Sequence, residues 1–259
     1  KAYYHLIEKT GIQKEIFELL DSIDVDDTQD LEEKAKKIQN LIIKAEMPSD
    51  LRSEIIEAYE SLSFDKTSLD HAGRFASSIL KNSIEPIFVA VRSSATTEDL
   101  DDSSFAGQQE SYLNVKGNPE LIGYVKKVLA SLFTARAIYY RKKRGFSKEK
   151  FSLAVIVEKM IDSDKSGVIF TKSPVENNNH VIIEAVYGLG EGIVSGRIKP
   201  DQYEVSNELK IINKKIADKK IALVRDSQGD TQEIKLTSGR SKEQVIEDHQ
   251  IKRLADFSR

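Results

Sequence analysis

An arginine at the end of an apolar strand asks for an anion. This chain places one inside the stretch VAVRSSATTEDLDDSSFAGQQESYLNV, residues 89 to 115. Residues Ile87 to Val91 read as a buried strand, and Arg92 follows them directly. The planar guanidinium fork suits a phosphate or carboxylate bidentately. Between Arg92 and Gly107 lie six hydroxyl side chains and four acids. The hydroxyls and backbone amides of Ser93, Ser94, Thr96 and Thr97, with the side-chain-free Gly107, make a surface able to close over phosphates. Composition leaves a second role open, because Arg92 can equally form an ion pair with Glu98, Asp99, Asp101 or Asp102.

Other chemistries find less support. No GxxxxGK[ST] segment provides a P-loop. The run GLGEG (Gly188, Gly190, Gly192) is a residue short of a dinucleotide fingerprint, since Ile193 stands where the third glycine belongs. It reads either as a tight turn requiring positive φ or as a ligand-contacting loop. His5, His71, His180 and His249 are scattered without ligand spacing, so they read as packing or surface residues rather than catalysts. No Gly-x-Ser-x-Gly elbow points to a hydrolase.

The elements that must position Arg92 fall into blocks. QKEIFELLDSI, LEEKAKKIQNLIIKA and MPSDLRSEIIEAYESL show apolar residues at three- and four-residue intervals, the signature of amphipathic helices. Between the first two, DVDDTQD offers Asp and Thr as caps. After Pro86 come the strand IFVAVR, the alternating strand ESYLNV and a long helix over ELIGYVKKVLASLFTARAIYYRKKRG, closed by Gly145. FSLAVIVEKMI, SGVIFTKSP and HVIIEAVYGLG are strand-like, and DQYEVS, KIINKKIA and KKIALVRD continue as strands or hairpins. SKEQVIEDHQIKRLADFS reads as one final helix. The order predicts an α+β protein of two lobes, with helices over 1–85, a strand–helix–strand block over 86–157 and a strand-rich lobe over 158–259.

Composition narrows the classes. The 259 residues carry a formal net charge of −3, with 31% charged and 39% hydrophobic side chains, and acids and bases alternate along the whole length. No basic pole suggests nucleic acid. No apolar run approaches the roughly 20 residues that span a bilayer. Zero cysteines exclude disulfides and thiolate metal sites, as expected of a cytoplasmic protein. The chain opens on KAYYHLIEKT without a methionine and reads as a piece of something longer.

Several blocks, in order, carry a resemblance. VAVRSSATTEDLDDSSFAGQQESYLNV, SLFTARAIYYR, LAVIVEKMI, SGVIFT, YGLGEGIVSG and PDQYEV together resemble the nucleotide-binding domain of the phosphoenolpyruvate synthase family. Pyruvate phosphate dikinase and rifampicin phosphotransferase share that domain. The resemblance is dense from about Pro86 to Val205. It implies an ATP-grasp-like fold of two α+β lobes closing on ATP. It also implies phosphorylation of a histidine on a separate swivelling domain, which delivers the group to pyruvate. Rifampicin as acceptor, or a non-catalytic nucleotide-binding module, are the alternative readings.

Carried over by position, Arg92 resembles the family arginine that contacts ATP phosphates, with Thr96 in the flap beside it. Gly107 and Ser111 match positions lining the nucleotide, and the family often has threonine at the latter. Arg136 matches a further arginine facing the phosphates. Glu158 stands where the family commonly has glutamine, on the strand that meets adenine, and a carboxylate accepts from the adenine amino group without being able to donate. The family's glycine-rich segment with its phosphate lysine is expected before Lys1. Its acidic strand and QxRP-type segment, with the Mg2+ ligands, are expected after Arg259. No acceptor-histidine motif and no metal ligand of the family fall within these residues.

Overall fold

The computed structural model describes residues 2–63, 85–95, 99–100, 103–104, 111–145, 153–172 and 179–258. The chain divides into two compact units, Lys1–Met160 and Ile161–Arg259. Both helices and sheets contribute, so the protein is α+β.

The first unit opens with four helices, α1 (Ala2–Lys9), α2 (Gln13–Ser22), α3 (Thr28–Lys44) and α4 (Ser49–Ser61). Asp27 starts α3 by accepting from the amides of Gln29 and Asp30 at 2.9 and 3.2 Å, satisfying donors that a helix start leaves orphaned. Leu31, Ala35, Ile38 and Ile42 then line one buried stripe, as their four-three-four spacing requires.

The helices pack with a three-stranded antiparallel sheet of order β4-β1-β5. The strands are β1 (Phe88–Ala95), β4 (Ser111–Lys116) and β5 (Leu153–Lys159), and two-residue strands β2 (Asp99–Leu100) and β3 (Ser103–Ser104) pair with each other. β1 is central, so its backbone is bonded on both sides and cannot shift without breaking two ladders. Val89, Val91 and Val115 point into the core alongside Leu121, Val125 and Val128 of α5 (Asn118–Ala130). Tyr59 of α4 pins the edge of this layer: its hydroxyl donates to the Ile87 carbonyl at 2.6 Å and accepts from the Gly117 amide at 2.9 Å.

Strict alternation fails in β4. Val89 opposes Val115 but Val91 opposes Tyr112, so β4 carries one extra residue in a bulge. Asn114 sits there at φ 58°, a left-handed conformation that asparagine tolerates better than most side chains.

The long helix expected up to Gly145 is two helices. α5 ends at Ala130, Ser131–Phe133 tightens into a 3-10 turn, and the chain restarts as α6 (Ala135–Lys143). Thr134 leaves helical geometry at φ −64°, ψ 149° and caps α6, its hydroxyl accepting from the Ala137 amide at 3.2 Å. Periodicity continues through such a break, so the apolar pattern alone hides it.

In the second unit, β6 (Lys165–Phe170), β7 (Val181–Tyr187), β8 (Asp201–Val205) and β9 (Ile211–Lys215) form one antiparallel sheet, and β10 (Ile221–Arg225) pairs with β11 (Thr231–Lys235). A short helical turn, α7 (Glu191–Val194), follows β7. The final helix, α8, is shorter than its sequence suggests and spans Asp248–Phe257. Glu247 and Gln250 start it with a reciprocal capping box, which fixes the onset late. Beneath the sheet, Asp201 is fully buried and accepts from the Lys219 ammonium at 2.5 Å, the amides of Ala217 and Val245 at 2.9 and 2.8 Å, and the Tyr203 hydroxyl at 3.0 Å.

Candidate functional site

β1, β4 and β5 each alternate, so one face of their sheet looks into the core and the other does not. Leu153, Val155 and Val157 of β5 pack on the core, which turns Ala154, Ile156 and Glu158 outward, all of them exposed. Arg92 is outward on β1, directly opposite Ser111 of β4 on one side and Ile156 of β5 on the other. One open sheet face therefore carries a guanidinium, a hydroxyl, an apolar side chain and a carboxylate.

The carboxylate that engages Arg92 is Glu158. One guanidinium nitrogen (NH1) donates to Glu158 Oε1 at 2.8 Å, with the side chains 50% and 49% exposed. Ala90 is the residue opposite Glu158, so the pair is diagonal across the β1–β5 ladder, a span that a long arginine bridges easily. A half-exposed pair of this kind stabilises by only about 0.2–1 kcal/mol. It holds the guanidinium without locking it.

Of the other residues singled out in the sequence, Ser111 lies exposed on this face. Ser93 turns to the opposite, inner side and is 9% exposed, as alternation after Arg92 demands, so it does not share the Arg92 face. Thr96 and Gly107 lie outside the described residues. Arg136 is exposed at the second position of α6, and no hydrogen bond or ion pair joins it to Arg92, Ser111 or Glu158 among the described residues. A cation in the first helical turn opposes the macrodipole, by about 0.3–1 kcal/mol, so Arg136 is not placed there for helix stability.

The GLGEG run, in the second unit, resolves toward backbone packing. Gly188 has φ +80°, and a Cβ there would fall 2.1 Å from the Leu223 carbonyl oxygen. The amide of Gly188 donates to the Asp164 carbonyl at 2.8 Å, and its own carbonyl accepts from the Ser166 hydroxyl at 2.6 Å. Three histidines sit beside carboxylates: His5 with Asp50 at 2.8 Å, His180 with Glu204 at 2.6 Å and His249 with Glu247 at 3.2 Å. His71 lies outside the described residues. Among the described residues no group of three or more His, Asp or Glu side chains is placed to hold a metal ion, and no helix is long and apolar enough to cross a membrane.

Sequence reading did not anticipate the Arg92–Glu158 pair or the place of Ile156 beside it. Alternation in LAVIVEK puts Ile156 and Glu158 on one face, but the register against β1 was needed to bring Arg92 to them.

Fold and site together define an α+β protein in which one sheet face gathers Arg92, Ser111, Ile156 and Glu158. The chain belongs to the family described as pyruvate phosphate dikinase, AMP/ATP-binding domain, which it matches over residues 1–259. It is 44% identical over 256 residues to the probable phosphoenolpyruvate synthase of Methanocaldococcus jannaschii, covering 98% of this chain and 20% of the relative. With the probable phosphoenolpyruvate synthase of Archaeoglobus fulgidus it shares 45% identity over 255 residues, 98% of this chain and 32% of the relative. With the phosphoenolpyruvate synthase of Helicobacter pylori it shares 39% identity over 270 aligned residues, 100% of this chain and 31% of the relative. The chain thus spans between a fifth and a third of these relatives' lengths.

Proposed function

We propose that these residues form the ATP-binding part of a phosphoenolpyruvate synthase, a cytoplasmic phosphotransferase of the pyruvate, water dikinase type. The observation that carries the reading is the open face of β4-β1-β5, where Arg92, Ser111, Ile156 and Glu158 lie together in a chain of the AMP/ATP-binding family. The donor set fits a nucleotide. A guanidinium and a hydroxyl suit phosphate oxygens, an exposed isoleucine offers a flat apolar seat for a base, and a carboxylate accepts from an exocyclic amino group. The relatives' names support a whole-protein activity that makes phosphoenolpyruvate, and pyruvate as the acceptor, with ATP yielding AMP and phosphate, is part of the proposal.

In this reading Arg92 and Ser111 take the phosphates. Ile156 and Glu158 take adenine, with the carboxylate favouring adenine over guanine because it has no proton to donate. Arg136 is a second phosphate cation, and Thr96 and Gly107 belong to the flap. The fold is of the two-lobed ATP-grasp type. When bound, ATP supplies the phosphoryl group for a histidine on a separate swivelling domain of the full-length chain. What these residues contribute is positioning and charge stabilisation, which dominate phosphoryl transfer. No metal-dependent step is assigned to them, and the Mg2+ ligands are placed elsewhere in the full-length chain.

The test is Arg92→Ala in the full-length protein. Loss of a charge-assisted contact of about 1.5–3 kcal/mol should slow phosphorylation of the acceptor histidine roughly ten- to over a hundredfold, with the melting temperature little changed. Transfer at the wild-type rate, or collapse of stability in place of activity, returns Arg92 to a purely structural ion pair.

A further inference from the structure

We infer that Glu158 is an internal competitor for the phosphate-binding group of Arg92, so that the Arg92–Glu158 ion pair is a latch which the incoming nucleotide exchanges for its own two ends. The inference rests on the nucleotide-binding reading of this sheet face and adds to it a coupling between base and phosphate recognition.

Geometry carries the argument. The carboxylate engages the guanidinium at 2.8 Å, so the two groups assigned to opposite ends of ATP touch each other in this structure. The amino group of adenine and the terminal phosphates are separated by the ribose and lie much further apart than one hydrogen bond. Glu158 and Arg92 therefore cannot stay paired while each holds its own end. The backbone does not supply the separation, because Arg92 and Glu158 lie on adjacent strands in continuous register from Val89–Lys159 to Ala95–Leu153. The guanidinium must swing away through its side-chain torsions, which half-exposure leaves room for.

The exchange is balanced only for a ligand with both ends. ATP gives Arg92 a phosphate in place of a carboxylate and gives Glu158 an amino group in place of a guanidinium. A phosphate chain without a base satisfies Arg92 but strips Glu158 of its partner and brings like charge near it. A guanine base presents a carbonyl oxygen where adenine has its amino group, so it too fails to compensate the carboxylate. Glu158 is thus a positioning and specificity-determining residue that penalises ligands lacking an adenine-like donor, by at most the worth of the pair it must give up. For a half-exposed pair that is about a 1.4- to fivefold effect on affinity.

Inorganic tripolyphosphate separates the two ends. Its dissociation constant should be measured by calorimetric titration at one fixed ionic strength in the full-length protein. The variants are wild type, Glu158→Gln, Glu158→Ala, Arg92→Ala and the Arg92→Ala/Glu158→Gln double variant, each checked for an intact melting transition. Both Glu158 variants should bind tripolyphosphate about 1.4- to fivefold more tightly than wild type, and the gain should vanish in the Arg92→Ala background. Unchanged affinity in the Glu158 variants, with Arg92→Ala still weakening binding, overturns the latch and leaves the nucleotide site standing. A gain of equal size in the Arg92→Ala background also overturns it, since removal of a negative charge then acts without the arginine. If Arg92→Ala changes neither tripolyphosphate nor ATP binding, the nucleotide reading of this face fails with it.

Discussion

Replacing Lys219 by methionine should unfold the second unit at a markedly lower temperature. The side chains of Lys219 and Asp201 are both 0% exposed, and the carboxylate accepts from the ammonium at 2.5 Å. Methionine fills most of the lysine stem's volume, so the change isolates the charge. What remains is a carboxylate held by the Ala217 and Val245 amides and the Tyr203 hydroxyl, with no cation in a dry site. Breaking a buried pair by removing one partner costs about 3–5 kcal/mol, because the survivor cannot return to water. For a unit of about 100 residues, as Ile161–Arg259 is, each kcal/mol moves the melting temperature by roughly 4–8 °C, so the drop should be about 12–40 °C. Differential scanning calorimetry at neutral pH reads it directly. Asp201→Asn should fall similarly, leaving the ammonium uncompensated, while removing both charges together should recover part of the loss. The exposed pair of Arg197 with Glu233, 2.8 Å apart, is the internal control, and Arg197→Ala should melt close to wild type. A Lys219→Met protein that melts within about 2 °C of wild type would refute the reasoning, because it would mean that Asp201 is not left charged and dry.

Gly188→Ala should lower the urea midpoint of the second unit, because a left-handed alanine costs about 1–2 kcal/mol and its Cβ would displace the Leu223 carbonyl that accepts from Leu189 at 2.7 Å; an unchanged midpoint would show that the close approach is not needed. The carboxyl of Asp248 should titrate below its ordinary 3.8, held down first by the hydrogen bond from Lys214 and then by that from Gln244. Its contribution to stability is accordingly complete above about pH 3.8 and is lost as pH falls through the lower folded-state value. Carbon-detected NMR titration should find the Asp248 value moving up in Lys214→Ala, and no movement would dissociate the two groups.

Much of this was legible beforehand, and the exceptions have physical reasons. Helices α2, α3 and α4 followed from apolar spacing, and the Asp27 cap from residue type, because both signals are local. The break at Thr134 was not, since a threonine continues a helix or caps a new one according to its backbone torsion. The start of α8 at Asp248 depended on a capping box that a longer apolar pattern overrode. At the candidate site, Arg92 stood out in the sequence as the residue closing an apolar strand, but β1 runs on to Ala95, so Arg92 lies mid-strand, and neither that place nor its partner was readable. Nearby acids invited a local ion pair, whereas Glu158 is 66 residues away and reaches it through strand register, which no single segment encodes. The same non-local step brings Ser111 beside Arg92.

Asn114 gives that last juxtaposition an unexpected dependence. In an unbroken strand, residues an odd number apart point to opposite sides, yet Tyr112 and Val115 both turn toward the core. The left-handed Asn114 resets the phase of β4 by one residue. Were residue 114 forced into regular extended geometry while Val115 kept its place, everything upstream would invert, and Tyr112 would swing outward as the Ser111 hydroxyl went under the sheet. The chemistry offered beside Arg92 is therefore written partly in one backbone torsion three residues away, and a substitution that touches no ligand could rewrite it.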